Sequence, residues 1–213
     1  MKYLALNTAG HSVEVALSTG GFFREEDGKC ASATLMPHVN ELLENAGLTL
    51  EDLNYIACVT GPGSFTGIRI GVSAVRSMCY ALGKPALGIH ELRMLAYNKR
   101  ADGYEKILCV TDGSNGTAYI CEYDADRKPL TDCLCVPMNE AIAKAESYKG
   151  VVCADERIAT MLPNAVPPDS DCSALLRAAK ELSECAGEWQ NLVPEYVRES
   201  QAERDLKARA KSV

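Results

Sequence analysis

The sequence predicts an α/β protein made of two related halves, and three observations carry that prediction. A pattern of strand, Gly/Thr turn, strand, turn and strand opens the chain and recurs about 104 residues later, in pattern more than in residue identity. Each copy is followed by segments with helical spacing of apolar residues, interleaved with short apolar runs. Between the copies, Gly61-Pro62-Gly63-Ser64-Phe65-Thr66-Gly67-Ile68-Arg69-Ile70-Gly71 joins an apolar run, Tyr55 to Thr60, to a long helical pattern.

In chain order, Tyr3-Leu4-Ala5-Leu6-Asn7 reads as the first strand and Thr8-Ala9-Gly10-His11 as a turn. Val13 to Ser18 alternates as a second strand. Thr19-Gly20-Gly21 is a hairpin turn, and Phe22 to Glu26 a third strand. Leu35, Val39, Leu42, Leu43 and Ala46 mark an amphipathic helix with Pro37 in its first turn and Gly47 as its stop. Residues 49–53 form a short helical connection to the strand at 55–60. Gly83-Lys84-Pro85 ends the helix after the glycine stretch, Ala86 to Ile89 is a buried strand, and Glu91 to Arg100 is a helix. The second copy has strands at 107–110, 118–123 and 130–136, with turns at 111–116 and 124–127. A helix near 139–147, a strand at 150–154, a Pro-rich loop at 162–169, a helix at 173–186, an extended segment at 194–198 and a charged terminal helix complete it.

At 213 residues the chain holds one large domain or two small ones, and 47% hydrophobic with 24% charged residues is ordinary for a globular protein. No apolar run approaches the ~20 residues that cross a bilayer, so no membrane association is expected. Ten cysteines, mostly inside apolar runs and without a C-x-x-C pair, read as small hydrophobes in a reducing cytoplasm. A net charge of −7 argues against a surface devoted to nucleic acid. The last sixteen residues carry five basic and three acidic side chains; a solvated tail helix and a basic contact for RNA or an acidic partner both stay open.

In the glycine stretch, Gly61 and Gly63 suit backbone angles or close approaches that a Cβ would block, Pro62 stiffens the turn, and Ser64 or Thr66 can cap the helix. The helix to about Leu82 has three faces. Ile68, Val72, Val75, Cys79 and Leu82 form an apolar stripe, and Arg69, Ser73, Arg76 and Tyr80 a polar one. Gly67, Gly71, Ala74, Met78 and Ala81 form a third face of mostly small residues. That face suits either tight packing inside the domain or a subunit interface, and the residues alone leave both open. Gly61 and Gly67 are too far apart for a Walker A loop and no Lys-Ser/Thr follows. The Rossmann fingerprint fits only if stretched by one residue, so neither nucleotide motif is supported.

A duplicated three-stranded meander followed by α-β-α units resembles the actin/Hsp70/sugar-kinase (ASKHA) fold. The Gly61–Gly71 stretch resembles the signature of the TsaB (YeaZ) family almost residue for residue. Leu4-Ala5-Leu6 with Thr8, Leu35-Met36-Pro37, Leu82-Gly83-Lys84-Pro85, Asp112 with Tyr119, and Pro194-Glu195-Tyr196-Val197-Arg198 agree with it along the chain. The resemblance implies an N-terminal ASKHA subdomain over 1–101 used for dimerisation and a C-terminal one over 102–194. Residues 195–213 form a terminal segment and helix, with packing back on the first subdomain left open. It implies a non-catalytic subunit that scaffolds and activates a TsaD-like catalytic paralogue. With a TsaE-like ATPase, the pair attaches threonylcarbamoyl to N6 of adenosine 37 in tRNAs reading ANN codons. The implied interface uses Gly67, Arg69, Gly71, Ala74, Met78 and Ala81. The same surface would pair the chain with itself when alone, tRNA would be met only through the complex, and a nucleotide between subunits stays open.

The residues agree with a non-enzyme. The catalytic paralogue carries His-x-x-x-His after its Gly-Lys-Pro turn, where two imidazoles one helical turn apart can ligate a metal. Here His90 is followed at i+4 by Met94, and His11 and His38 have no partner at ligand spacing, so no metal site is expected. Actin-like ATPases carry Asp at the end of the first strand; here it is Asn7. Asn7, Thr8 and Asp112 are then a candidate vestigial nucleotide site, with Asp112 either the second-half acid or a turn former. The alternative function is a stand-alone ASKHA-fold enzyme, peptidase-like or a small-molecule kinase.

Overall fold

The computed structural model describes residues 1–26 and 31–197. The first meander is β1 (Tyr3–Asn7), β2 (Val13–Leu17) and β3 (Phe22–Glu25). Next come α1 (Ala31–Asn45), β4 (Tyr55–Gly61), α2 (Phe65–Leu82), β5 (Ala86–His90) and α3 (Glu91–Ala96). The second half has β6 (Lys106–Ser114), β7 (Thr117–Asp124), β8 (Leu134–Pro137), α4 (Met138–Glu146), β9 (Val151–Ala154), α5 (Glu156–Met161) and α6 (Ser173–Glu181).

Two sheets result, a five-stranded one ordered β3-β2-β1-β4-β5 and a four-stranded one ordered β8-β7-β6-β9. The repetition read in the sequence is real at this level. In each sheet an antiparallel meander is extended on its first strand by a parallel strand reached through a helix: Leu4 pairs with Leu17 and Ile56, and Leu108 with Glu122 and Val152. β5 extends the first sheet on β4. The strands β1 and β4, inside the first sheet, and β9, at the edge of the second, are buried at every position, which is why they read as apolar runs rather than alternations. Two apolar clusters form. One spans the first sheet and the inner face of the second, and the other fills the space between the second sheet and α4 and α5.

Several boundaries differ from the sequence reading, each for a local reason. Pro37 lies in the interior of α1 rather than its first turn; lacking an N–H, it leaves the Ala33 carbonyl without its usual helical partner. The helix after β5 stops at Ala96 and tightens into a 3₁₀ turn at Lys99–Ala101, where the Asn98 side chain accepts from the Arg100 N–H at 2.9 Å. β6 continues through residues expected to be a turn, because Asp112 and Ser114 still pair with β7 across a bulge. The strand expected at 130–136 is confined to Leu134–Pro137. α5 was not anticipated; Asp155 starts it, its carboxylate accepting from the Ile158 N–H at 2.8 Å. The helix at 173–186 ends at Glu181 and continues as a 3₁₀ turn. The charged terminal helix lies outside the described residues.

The chain crosses back at its end. Although α6 follows the second sheet in sequence, it packs on β1, β2 and β5 of the first. The Tyr3 and Tyr55 hydroxyls donate to the Leu176 and Ala179 carbonyls at 3.1 and 2.9 Å. Gly187 exchanges both backbone hydrogen bonds with Ala86, and the Glu195 N–H donates to the Thr60 carbonyl at 2.8 Å. Residues 173–197 therefore brace the first sheet. α3 is the wedge between the halves, touching β4 and β5 on one side and β6, β7 and β9 on the other.

Candidate functional site: the glycine turn, its helix and the junction of the two sheets

The glycine stretch launches α2 as expected. Ser64 is the cap, its Oγ accepting from the Gly67 N–H at 3.2 Å, while Thr66 is exposed. The Gly61–Pro62 peptide is cis. Gly61 and Gly63 have positive φ, and side chains on them would run into the Glu195 and Ala9 carbonyls respectively. Gly67 and Gly71 serve a different neighbour. A Cβ on Gly67 would overlap the Thr8 carbonyl oxygen, and one on Gly71 would meet the Thr8 hydroxyl. Thr8 Oγ1 donates to the Gly67 carbonyl at 2.7 Å, and the Ser64 N–H donates to the Ala9 carbonyl at 2.7 Å. The stretch is a socket for the β1–β2 turn on one side and for the returning chain on the other.

Gly67, Gly71 and Met78, three of the residues expected at an interface, are buried within this chain, where the two glycines pack against Thr8. Of the six residues, Arg69 and Ala81 are exposed and Ala74 is half-buried. The outward face of α2 carries a different set. Phe65, Tyr80 and Tyr196 are 37%, 69% and 43% exposed. The Arg69 guanidinium lies 3.9 Å from the centre of the Phe65 ring, Phe65 stacks on Tyr196 at 4.6 Å, and Arg69 Nε donates to the Tyr196 hydroxyl at 3.0 Å. Tyr80 meets Trp189 edge-on at 5.1 Å, and the Arg76 guanidinium lies 5.6 Å from the Trp189 ring centre. Arg69, Ser73, Arg76, Tyr80, Trp189 and Pro194 line a shallow groove between these groups. The aromatic members were missed in the sequence because Tyr196 and Trp189 lie more than a hundred residues from Phe65. The available signal was the polar stripe Arg69, Ser73, Arg76 and Tyr80, which faces the groove.

At the junction of the sheets, Asn7, Thr8 and Asp112 are each engaged by the chain itself. Asn7 Oδ1 accepts from the Ala9 N–H at 2.9 Å, and its Nδ2 donates to Glu14 Oε2 at 3.2 Å. Asp112 accepts from the Ser114 N–H at 3.0 Å, so it shapes the β6–β7 turn. Its other oxygen pairs with Arg157 at 2.6 Å and lies 3.5 Å from His11 Nε2. Asp155 accepts from the Thr111 hydroxyl at 2.8 Å and from the Asp112 N–H. Glu14, the one charged residue of β2, is buried with its apolar neighbours and bonded by Arg24 at 2.5 Å; Arg24 also reaches Glu156 and the Asp169 carbonyl of the second half. Burial outweighs the Arg24 and Asn7 contacts and raises the Glu14 carboxyl above its ordinary value.

Asn7 is matched to this setting, because its amide supplies a donor to a buried carboxylate. Replacing it by Asp turns that donor into an acceptor. Asn7→Asp is expected to lower stability by about 1–3 kcal/mol at neutral pH, read as a shift in the urea midpoint, and to regain part of it in acid as the new carboxyl protonates.

The segment after Gly83-Lys84-Pro85 holds His90 and, one helical turn on, Met94. Burial, followed by the Arg93 charge, holds the His90 imidazole down at about 4, so it is neutral. Met94 Sδ lies 3.7 Å from Asn7 Nδ2. Among the described residues no group of three His, Cys, Asp or Glu side chains is placed to hold a metal ion. Cys58, Cys79, Cys109, Cys121, Cys153 and Cys172 are buried, and burial pushes Cys79 and Cys153 up to about 11 and about 12, which keeps these thiols unreactive. Among the described residues no helix is long and apolar enough to cross a membrane.

Two meander-based sheets, each extended by a parallel strand, with paired turns meeting at their junction, define a protein of the actin/Hsp70/sugar-kinase class. YeaZ from Pseudomonas aeruginosa superposes with a TM-score of 0.70 at 25% identity, over 92% of this chain and 99% of that one. The family model described as TsaD, tRNA N6-adenosine threonylcarbamoyltransferase, matches residues 6–163. The chain belongs to this family. The tRNA threonylcarbamoyladenosine biosynthesis protein TsaB of Escherichia coli (strain K12) is 32% identical over 134 residues, 61% of this chain and 58% of that protein. TsaB of Bacillus subtilis (strain 168) is 32% identical over 129 residues, 56% and 53% of the two. The matched stretch thus spans a little over half the length of these relatives. A tRNA N6-adenosine threonylcarbamoyltransferase of Moorella thermoacetica is 34% identical over 86 residues, 40% of this chain and 25% of that enzyme.

Proposed function

We propose that the chain is the non-catalytic subunit of the complex that attaches threonylcarbamoyl to N6 of adenosine 37 in tRNAs reading ANN codons, where it scaffolds and activates a TsaD-like catalytic paralogue. Membership of a family whose relatives are named for this pathway supports the reaction. One observation supports the non-catalytic role. The positions from which an actin-like ATPase works on nucleotide are Asn7 and an Asp112 already bound to Arg157 and the Ser114 N–H. Asn7 is not an acid and the Asp112 carboxylate is taken up by the chain itself, so neither is free to hold Mg²⁺ through water or to orient an attacking water.

The paralogue docks on the outward face of α2, through Phe65, Arg69, Tyr80, Trp189 and Tyr196. Aromatic and arginine side chains on an exposed helix are the composition of interface hot spots. The same face pairs two copies of this chain when the paralogue is absent, with Ala74 and Ala81 allowing close approach. A TsaE-like ATPase completes the complex, tRNA is met through the paralogue, and the site of action is the cytoplasm. The dimerising unit is 1–101 braced by 173–197, and 106–161 forms the second unit.

The test is reconstitution. The purified chain, the paralogue, the ATPase and unmodified tRNA are expected to form threonylcarbamoyladenosine together, with none formed when this chain is omitted and none by this chain alone. Equal product without the chain, or no measurable affinity for the paralogue with or without nucleotide, would overturn the proposal. Activity of the chain alone that disappears in Asp112→Ala would favour the stand-alone enzyme instead.

A further inference from the structure

The charged groups at the junction of the sheets contain one that the proposed function does not use. Glu91 is the first residue of α3, the wedge helix between the halves, and it is 3% exposed. Its Oε2 has no hydrogen-bond partner, and its Oε1 lies beside Gly10 in the β1–β2 turn. A carboxylate there would have the Asn7 side chain as a donor but none on Oε2, fewer than an ionised group requires when it is taken out of water.

The groups around it come from both halves. Glu14 faces it from β2, Arg24 from β3 and Asn7 from β1, all in the first sheet. Asp155, at the start of α5, and the Cys109 thiol of β6 face it from the second. On its own element the neighbours are His90, which is neutral, and Arg93. Two carboxylates and one guanidinium thus surround a third carboxyl group. Burial first, then the Glu14 and Asp155 charges, push Glu91 up to about 8, against weaker downward pulls from Asn7 and Arg24. At neutral pH it carries its proton and is accommodated as a neutral group. The same edge is where the halves are tied: Arg24 bonds Glu14 on one side and Glu156 and the Asp169 carbonyl on the other, and His11 faces Asp112.

We propose that Glu91 is a proton-operated catch between the two sheets. Protonated, it lets the start of α5 close against the edge formed by β1, β2 and β3. Ionised, it places a further negative charge beside the Glu14 and Asp155 carboxyl groups in a buried space, and the edges part to admit water between the 8–12 turn and the 111–117 turn. The sign follows from proton linkage. A group held above its unfolded value is bound more tightly to its proton in the folded chain, so its contribution to stability is present in acid and is lost as the pH rises through about 8. The opening is local, because the two apolar clusters behind the junction hold the sheets together by buried apolar contact.

The experiment is amide hydrogen exchange read by mass spectrometry at about pH 6.5 and about pH 9, with rates corrected for the intrinsic effect of pH. In the native chain, protection of 8–12, 111–114 and 155–158 is expected to fall by at least about tenfold at the higher pH while the strands β4 and β9 keep theirs. Glu91→Gln, which is neutral at both, is expected to stay protected at both. A native chain equally protected at the two pH values, or a Glu91→Gln chain that loses as much protection as the native one, overturns the proposal. If the variant does not fold, carbon-detected titration of the Glu91 carboxyl in the native chain decides. A midpoint near 8 accompanied by shifts of the Gly10 and Asp155 amides supports the catch, and any other result overturns it.

Discussion

Gly71→Leu is expected to unfold the chain rather than to loosen an interface. The Gly71 Cα faces the Thr8 side chain, and even a methyl group there would meet Thr8 Oγ1 at 2.5 Å. Thr8 cannot retreat, because its hydroxyl donates to the Gly67 carbonyl at 2.7 Å and the turn it belongs to is tied to Ser64 through Ala9. A branched side chain must therefore push the β1–β2 turn off α2 and break both ties. Overpacking of this kind costs typically 1–3 kcal/mol, and here the lost hydrogen bonds add to it, so a loss of at least about 3 kcal/mol is expected. Gly67→Ala should behave the same way, since its Cβ would overlap the Thr8 carbonyl oxygen. Ala81→Leu is the contrast: exposed at the end of α2, it should change stability by no more than about 0.5 kcal/mol. Urea denaturation of the three variants checks the whole set, and a Gly71→Leu chain as stable as the native one would show that the socket is not rigid.

Tyr80→Ala and Arg69→Glu are expected to weaken association with the paralogue while leaving the fold intact. Tyr80 is 69% exposed and touches Trp189 only edge-on, so its removal opens no cavity in the core. A buried aromatic anchor at the centre of an interface is worth about 2 kcal/mol or more, roughly 30-fold in affinity. Arg69→Glu removes the cation over the Phe65 ring and the bond to the Tyr196 hydroxyl, and reverses the sign of charge facing the partner. It should lower affinity by a similar factor and abolish self-association. Isothermal titration against the purified paralogue, with melting curves as the control for folding, makes the measurement. Unchanged affinity in both variants would remove this face from the interface and leave the pathway assignment standing.

Much of the architecture was legible because local rules carry it. The five strands and three helices of the first half are each marked by an apolar run or a 3.6-residue stripe and closed by Gly or Pro. The duplication needed only the order of these elements. What went astray was set by contacts distant in sequence. The short α5 has too few residues for a periodicity to show, and depends on Asp155 as cap. β6 runs on through Asp112–Ser114 because β7 is there to pair with it. The return of α6 and 187–197 to the first sheet rests on bonds such as Tyr3 to Leu176 and Glu195 to Thr60, which no window of sequence contains.

The candidate site divides in the same way. The sequence by itself determined the class, the family and the position of the socket, because Gly61, Gly63, Gly67 and Gly71 are required by the backbone wherever another chain segment passes within reach of a Cβ. It also showed that Asn7 ends the first strand without an acid and that His90 has Met94, not a second imidazole, one helical turn on. Only the tertiary structure decided which segment passes. Gly67 and Gly71 meet Thr8 of the same chain, so the smooth face turns inward and the aromatic and arginine face turns out. Only it showed that Asp112 is taken up by Arg157, and that Glu14, Glu91 and Asp155 converge around one arginine. A small side chain records in the sequence that something comes close, and the identity of that neighbour exists only once the chain has folded.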